Sequence, residues 1–315
     1  MKIVVLDGHT VNHGDLSWEP FEKLGDFEVY PRSSKEEILA RAEDAEAILI
    51  NKAPIDRETL AQLPRLKYIG ILATGYNTVD TIAARERNIP VCNAAGYASE
   101  SVAQHVFALL LELANHVAVH DADVKSGGWT NNPDWTYQRK PMIELWSKTM
   151  GIIGLGRIGQ TTARLAQGFG MRVIAHNRSP KDIEGVEMKS LDEVFAESDV
   201  ISLHCPLTAE NREFVNAEKL ALMKSSAILI NTGRGPLIQE ADLAEALNAG
   251  KIRAAGLDVL HQEPPNMDNP LIHAKNCIIT PHNAWGTREC RERLIQIAAD
   301  NLQNFQNGTP SNVVN

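Results

Sequence analysis

Short apolar runs alternate along the 315-residue chain with longer stretches whose apolar side chains recur every three or four positions. The first kind fits strands buried on both faces, and the second fits amphipathic helices. Their alternation predicts an α/β fold in which helices wrap parallel sheets. The strand candidates of the first part are "KIVVLD", "FEVYP", "AEAILIN", "LKYIGILA" and "IPVCNA". From about residue 149 a second series starts at its own first strand: "TMGIIGLG", "RVIAHN", "DVISLHC", "SAILINTG", "RAAGLDV" and "NCIITPH". Two series with two first strands predict two α/β domains, in keeping with a length above that of a single core.

Between the series lies "SESVAQHVFALLLELANHVAVHDADVKSG", which reads as one helix. Ser99 or Ser101 can cap its start, and Ser101 with Gln104 has capping-box spacing. Its apolar residues cover far more than one stripe, so it belongs in a buried place between domains or subunits. Residues 127–148, with Trp129, Trp135 and Trp146, read as an irregular arm suited to an oligomer contact. The final "TRECRERLIQIAADNLQNFQNG" is an amphipathic helix stopped by Gly308 and Pro310, with no strand expected after it. It is expected to fold back on the first domain.

Composition narrows the function classes. The chain is 43% apolar and 23% charged with a net charge of −9, which argues against a general nucleic-acid binder. No segment has the uninterrupted apolar length of a membrane span, since "VFALLLELA" is broken by Glu112. "MKIVVLDGH" reads as a strand rather than a signal peptide. Cys92, Cys205, Cys277 and Cys290 lack metal-site spacing and fit reduced thiols of a cytoplasmic protein.

The glycine-rich turn is the first candidate for chemistry. In "MGIIGLGRIGQTTARLAQGFG" an apolar strand leads into Gly154-x-Gly156-x-x-Gly159 and an amphipathic helix follows. That strand-turn-helix setting is the one a dinucleotide fingerprint requires. Gly154 permits the tight turn, Gly156 lets backbone approach a pyrophosphate, and Gly159 lets helix and strand pack closely. The amides of Arg157 and Ile158 stand at the positive end of that helix. At the end of the next strand, where an acidic residue usually holds the ribose, stand Asn177, Arg178 and Ser179. A carboxylate there would repel a 2′-phosphate by up to about 4 kcal/mol at ~4 Å and a dielectric near 20, less with salt. Its absence favours NADP over NAD, Arg178 and Ser179 offering hydrogen bonds to the phosphate. The other reading keeps Arg178 in solvent and Asn177 on the ribose, with mixed cofactor use.

Other strands of the second series also end in polar residues: His204, Asn231, Asp258 and His282. In an open parallel sheet such ends share one edge, where ligands bind. Each alone could cap a helix or a turn; the row points to a site. Arg234, between glycines in "NTGRG", can clamp a carboxylate at two points, although a lone arginine is commonly a surface charge. His282, in "TPHNAW", can exchange a proton near neutral pH. Glu263, before two prolines in "HQEPP", would favour a charged His282 if the two pair. His261 and His273 lack such a setting and read as surface residues.

With Gly154, Gly156, Gly159, Arg234, Asp258, Glu263 and His282 in this order, the chain resembles the D-2-hydroxyacid dehydrogenases over nearly its whole length. "ILATGYNTVD", "NAAGYASESVAQH" and "PLTAENREFVN" extend the likeness, while "PMIELWSKTMGIIGLGRIG" and "TPHNAWGTRECRERL" point to the glycerate dehydrogenase, or hydroxypyruvate reductase, branch. The resemblance implies two Rossmann-like domains with the active site in the cleft: a discontinuous substrate domain, 1–99 and 288–315, and a dinucleotide-binding domain, 100–287. It implies a homodimer, and reduction of a small 2-keto acid, hydroxypyruvate or glyoxylate, to the D-2-hydroxy acid. His282 is then the acid/base, Glu263 its partner and Arg234 the substrate anchor. Thr74, Gly75 and Tyr76 receive the substrate carboxylate, and Trp285 walls the pocket or packs under a domain edge. His204, Cys205, Pro206, Thr232, Asp258 and His282 line the cofactor, with Asp258 near the nicotinamide. Gln104 departs from the family's frequent Glu, away from this chemistry. Glu263 favours a hydroxy-acid enzyme over the formate dehydrogenases, which pair their histidine with glutamine. Two alternatives share these residues: a nicotinamide-sensing corepressor-like protein, and a short phosphoglycerate dehydrogenase.

Overall fold

Every apolar run singled out in the sequence becomes a strand, and all strand pairs are parallel. The structure, a computed structural model, describes all 315 residues. The chain divides into two units, residues 1–98 with 285–315 and residues 99–284.

In the first unit, β1 (Lys2–Val5), β2 (Asp26–Val29), β3 (Ala47–Ile50), β4 (Tyr68–Ile71) and β5 (Val91–Asn93) are ordered β2-β1-β3-β4-β5. That is a doubly wound order whose direction reverses between β1 and β3. The central β3 and β4 are buried at every residue, whereas the edge strand β2, "DFEV", is largely exposed. The C-terminal helix, Arg288–Gln306, starts on the Thr287 side chain and lies against this sheet. Its Asn301 amide donates to the Asn93 carbonyl at 3.0 Å, and Phe305 sits 5.0 Å from the Tyr68 ring. No strand follows it, as expected; the tail makes one bridge, Val313 to Cys92, and the Val314 amide donates to the Val91 carbonyl. A single bridge is too short to show as an apolar run.

The second unit holds β6 (Thr149–Ile153), β7 (Arg172–His176), β8 (Val186–Met188), β9 (Val200–Leu203), β10 (Ile228–Asn231), β11 (Ala254–Leu257) and β12 (Cys277–Ile279). Their order is β12-β11-β10-β9-β6-β7-β8, the Rossmann winding with one further strand at an edge. The sequence pattern does not reveal β8. It is a three-residue edge strand with Glu187 at its centre and no buried residue.

The predicted linking helix is two helices. Ser99–Asn115 is buried along Val106, Leu109, Leu110 and Leu113, and it ends where His116 takes a left-handed φ of 52°. Val117–Lys125 follows at a 55° bend with no buried residue. The apolar pattern runs on through the break, which is why it reads as one helix. The expected capping box does not form either. The helix already begins at Ser99, so Ser101 lies inside the first turn and donates to the Ala284 carbonyl instead, while Gln104 is exposed. No single helix is long and apolar enough to cross a membrane. Residues 126–148 form no helix or strand, and Trp129, Trp135 and Trp146 are exposed, Trp135 to 86%. None of the four cysteines is in a disulfide, and Cys92 and Cys290 are buried.

Candidate active site

Strand register in the second unit assembles its candidate residues. Ile153 pairs with Leu203, Asn231 with Leu257, and Leu257 with Ile279, so the residues just beyond these ends lie side by side along one edge. Gly154, His204, Thr232, Asp258 and the His282 turn therefore share that edge. Gly154 has a φ of 101° and is so close to the β9 end that a side-chain carbon would fall 2.5 Å from the Cys205 nitrogen. Only glycine fits such a position. At Gly159 a side-chain carbon would fall 2.1 Å from the Gly154 carbonyl, whereas at Gly156 it would meet nothing within 4 Å. The helix Arg157–Gly168 starts at Gly156 with no side chain capping it. Its first amides, Arg157 and Ile158 included, stand at an uncapped helix N-terminus, which favours an anion.

Two further features fit a bound dinucleotide. Thr232 is buried, yet its hydroxyl has no hydrogen-bond partner. Such an orphan group at a strand end fits a ligand that would supply the partner. Desolvation pushes the His204 imidazole down to about 4 and the Cys205 thiol up to about 11, so both are neutral near pH 7. His204 rests on the Ser202 hydroxyl at 2.9 Å. The turn after it, with the exposed Pro206, is held by Asn211, whose amide donates to the Pro206 carbonyl and whose oxygen accepts from Thr208.

Beyond β7, the Asn177 oxygen accepts from the Leu155 amide at 3.0 Å, and its amide group donates to the Ser179 carbonyl at 2.6 Å. Asn177 thereby ties its own turn to the glycine turn. Arg178 and Ser179 are exposed. The sequence reading missed Lys181, whose ammonium donates to the Leu155 carbonyl at 2.8 Å, over the glycine turn. Its signal was a fourth polar residue in the same short turn, hidden behind Pro180.

The proposed proton-handling residues come together. His282 Nδ1 lies 2.6 Å from Glu263 Oε2. The other Glu263 oxygen accepts from the Leu260 amide at 3.1 Å, which fixes the carboxylate. Arg234 ends the turn after β10, where Asn231 accepts from the Gly233 amide and donates to the Arg234 carbonyl. At Gly235 a side-chain carbon would collide with the Leu260 carbonyl, so the Arg234 and Glu263 loops are in backbone contact. Asp258 is 1% exposed, and its carboxylate accepts from the Thr280 hydroxyl and the Asn283 and Ala284 amides. It faces the His282 turn. His261, which the sequence assigned to the surface, meets Arg212 at 2.7 Å at an exposed position.

The remaining candidates lie in the first unit, after β4. Thr74 and Tyr76 are exposed, with Gly75 between them. The Thr74 hydroxyl donates to the Ala94 carbonyl, and the Asn93 amide holds the Thr74 carbonyl at 2.7 Å. Trp285 also belongs to this unit, edge-on to Tyr97 at 6.4 Å between ring centres.

Residues 107–284 match the family model described as D-isomer specific 2-hydroxyacid dehydrogenase, NAD binding domain. Over 100% of both chains the protein is 50% identical to hydroxypyruvate reductase of Blautia hydrogenotrophica. It is 39% identical to glycerate dehydrogenase of Methylorubrum extorquens, over 99% of this chain and 98% of that one. Among solved structures it is similar to an acyclic imino acid reductase in complex with NADPH and D-Arg, with 34% identity, a TM-score of 0.89 and 100% of both chains covered.

Proposed function

Because the chain belongs to the D-isomer specific 2-hydroxyacid dehydrogenase family, we propose that it reduces hydroxypyruvate or glyoxylate to the D-2-hydroxy acid. It is a nicotinamide-dependent oxidoreductase. The observation that carries the reading is the 2.6 Å His282–Glu263 pair on the sheet edge that also bears Arg234 and the open glycine turn.

A bound nicotinamide would supply the hydride needed at C2 of the keto acid. Negative charge then develops on the carbonyl oxygen. His282, its Nδ1 on Glu263, presents Nε2 as the proton donor to that oxygen. Arg234 holds the keto acid and stabilises the developing charge. Thr74, Gly75 and Tyr76 receive the substrate carboxylate. Trp285 walls the substrate pocket.

The cofactor we propose is NADPH in preference to NADH. Asn177 leaves the ribose position without a carboxylate, and Arg178, Ser179 and Lys181 follow in the same turn. We expect a specificity constant at least about tenfold higher with NADPH, near 1.4 kcal/mol. Asn177→Asp keeps an acceptor for Leu155 and should shift the ratio toward NADH. An equal or better wild-type constant with NADH would end this part of the reading. A homodimer and a cytoplasmic location complete it, supported by the exposed tryptophans of the arm and by four cysteines outside any disulfide. Sedimentation showing a monomer throughout the micromolar range would remove the dimer.

The deciding measurement follows oxidation of NADPH or NADH with hydroxypyruvate, glyoxylate, pyruvate, phosphohydroxypyruvate and oxaloacetate. Hydroxypyruvate or glyoxylate should give the highest kcat/KM. Preference for phosphohydroxypyruvate would make the protein a phosphoglycerate dehydrogenase. No turnover with any keto acid would turn the reading toward a nicotinamide sensor.

A further inference from the structure

We propose that Ser101 and His105, on the buried helix Ser99–Asn115, are positioning residues that hold the backbone turn carrying His282. The inference rests on the reading of His282 as the proton donor. His282 has a φ of 50°, a left-handed conformation that a residue with a β-carbon rarely adopts unless its surroundings enforce it. What enforces it here is a set of bonds on both sides of the residue. The His282 amide donates to the Asp258 carbonyl at 2.8 Å, and the next two amides, Asn283 and Ala284, both donate to the Asp258 carboxylate at 2.9 Å.

The helix grips the two ends of that turn. Ser101 and His105 are four residues apart and so lie on one helix face. The Ser101 hydroxyl donates to the Ala284 carbonyl at 2.7 Å, closing the exit of the turn. At the entrance, His105 Nε2 lies 2.9 Å from the Thr280 hydroxyl oxygen and 3.5 Å from Asp258 Oδ1. The Thr280 hydroxyl gives its own hydrogen to Asp258 Oδ1 at 2.6 Å, so its lone pair is left to accept from His105 Nε2–H. Neither Ser101 nor His105 bonds to the His282 ring in this arrangement. They act through Thr280, Ala284 and Asp258, fixing where the imidazole points rather than taking part in proton transfer.

The test compares His105→Leu and Thr280→Val, which remove the bond, with His105→Gln and Thr280→Ser, which keep a donor and a hydroxyl. For each, kcat and KM are measured with the preferred keto acid, NADPH affinity by fluorescence titration, and thermal midpoint. Removing the bond should lower kcat about 10- to 100-fold, the scale of a small misplacement of a reacting group. NADPH affinity should stay within about twofold, and Thr280→Ser and His105→Gln should recover most of the loss. Made on top of His282→Asn, the same changes should have no further effect on the residual rate, because the group they position is gone. Wild-type kcat in His105→Leu and Thr280→Val overturns the proposal, as does an equal loss in the His282→Asn background or a loss shared equally by NADPH binding. If His105→Leu does not fold, Thr280→Val, nearly isosteric with the native residue, decides alone. Full activity in His282→Asn by itself would mark failure of the underlying reading.

Discussion

The two sheets share a winding but treat the place where it reverses in opposite ways. In the first unit the reversal lies between β1 and β3, and Asp7, just beyond β1, fills it. Its carboxylate accepts from the amides of Asn51, Lys52 and Ala53 at 2.7, 2.5 and 2.8 Å. Three amides converging on one carboxylate make an anion site that the chain occupies with its own side chain. In the second unit the reversal lies between β6 and β9, and the corresponding turn is Gly154-Leu155-Gly156, with space above Gly156 and an uncapped helix start. Topology provides both units with a crevice at the carboxyl ends of the strands. Which crevice can take a dinucleotide is decided by whether a side chain already satisfies its amides.

That contrast can be broken most forcefully at His282. His282→Asn should lower kcat by roughly 10²–10⁴, the usual worth of a positioned proton donor, and leave NADPH affinity nearly unchanged. Wild-type turnover would detach the chemistry from the edge of the second sheet. The corresponding change in the first unit, Asp7→Ala, should act on stability, because it strands amides that the carboxylate alone satisfies. A loss of about 3 kcal/mol in urea denaturation is expected, with NADPH affinity unaltered. If Asp7→Ala weakened NADPH binding and left stability alone, the two crevices would have been assigned the wrong way round.

Gly156→Ala separates the fold from the ligand more finely. A methyl group there meets no protein atom, and the φ of −69° suits alanine, so the thermal midpoint should hold. The same methyl would stand where a pyrophosphate must approach the backbone, so NADPH should bind about tenfold or more weakly. Unchanged affinity by titration would show that this space is not the phosphate site.

Much of this contrast could be read from the sequence, and the remainder could not for definite reasons. The runs that became β1, β3–β7 and β9–β11 are apolar because parallel strands inside a sheet are covered on both faces, and the GxGxxG turn is visible because its neighbours are a strand and a helix. Arg234, Glu263 and His282 stood out by their glycine, proline and strand-end settings and by the family resemblance that made Glu263 the partner of His282, and the adjacency of β11 and β12 accounts for the 2.6 Å contact between those two. His105 gave no such signal. It sits inside an apolar helix, and its partner Thr280 is 175 positions away. The helix break at His116 was invisible because a left-handed residue leaves the apolar periodicity on either side intact. Asp7 looked like the polar end of a strand, since its three amide partners arrive from beyond β3.

Lys181 should give the smallest effect, and its size follows from where it sits. It is exposed, and its ammonium rests on the Leu155 carbonyl beside the proposed ribose position. Unlike Asp7, it is in contact with solvent, so a phosphate there would feel it through water and salt. An exposed charge pair of this kind changes affinity about two- to fivefold. Lys181→Met keeps most of the stem and removes the charge. It should raise the KM for NADPH by that factor at low ionic strength and leave the KM for NADH unchanged. Near 0.5 M salt, where the screening length falls to roughly 4 Å, most of the difference should vanish. A loss that persisted at high salt, or that struck NADH equally, would mean that Lys181 acts by holding the glycine turn through Leu155. The rim of the cofactor crevice would then be built like the Asp7 site, with a side chain of the protein engaging the backbone.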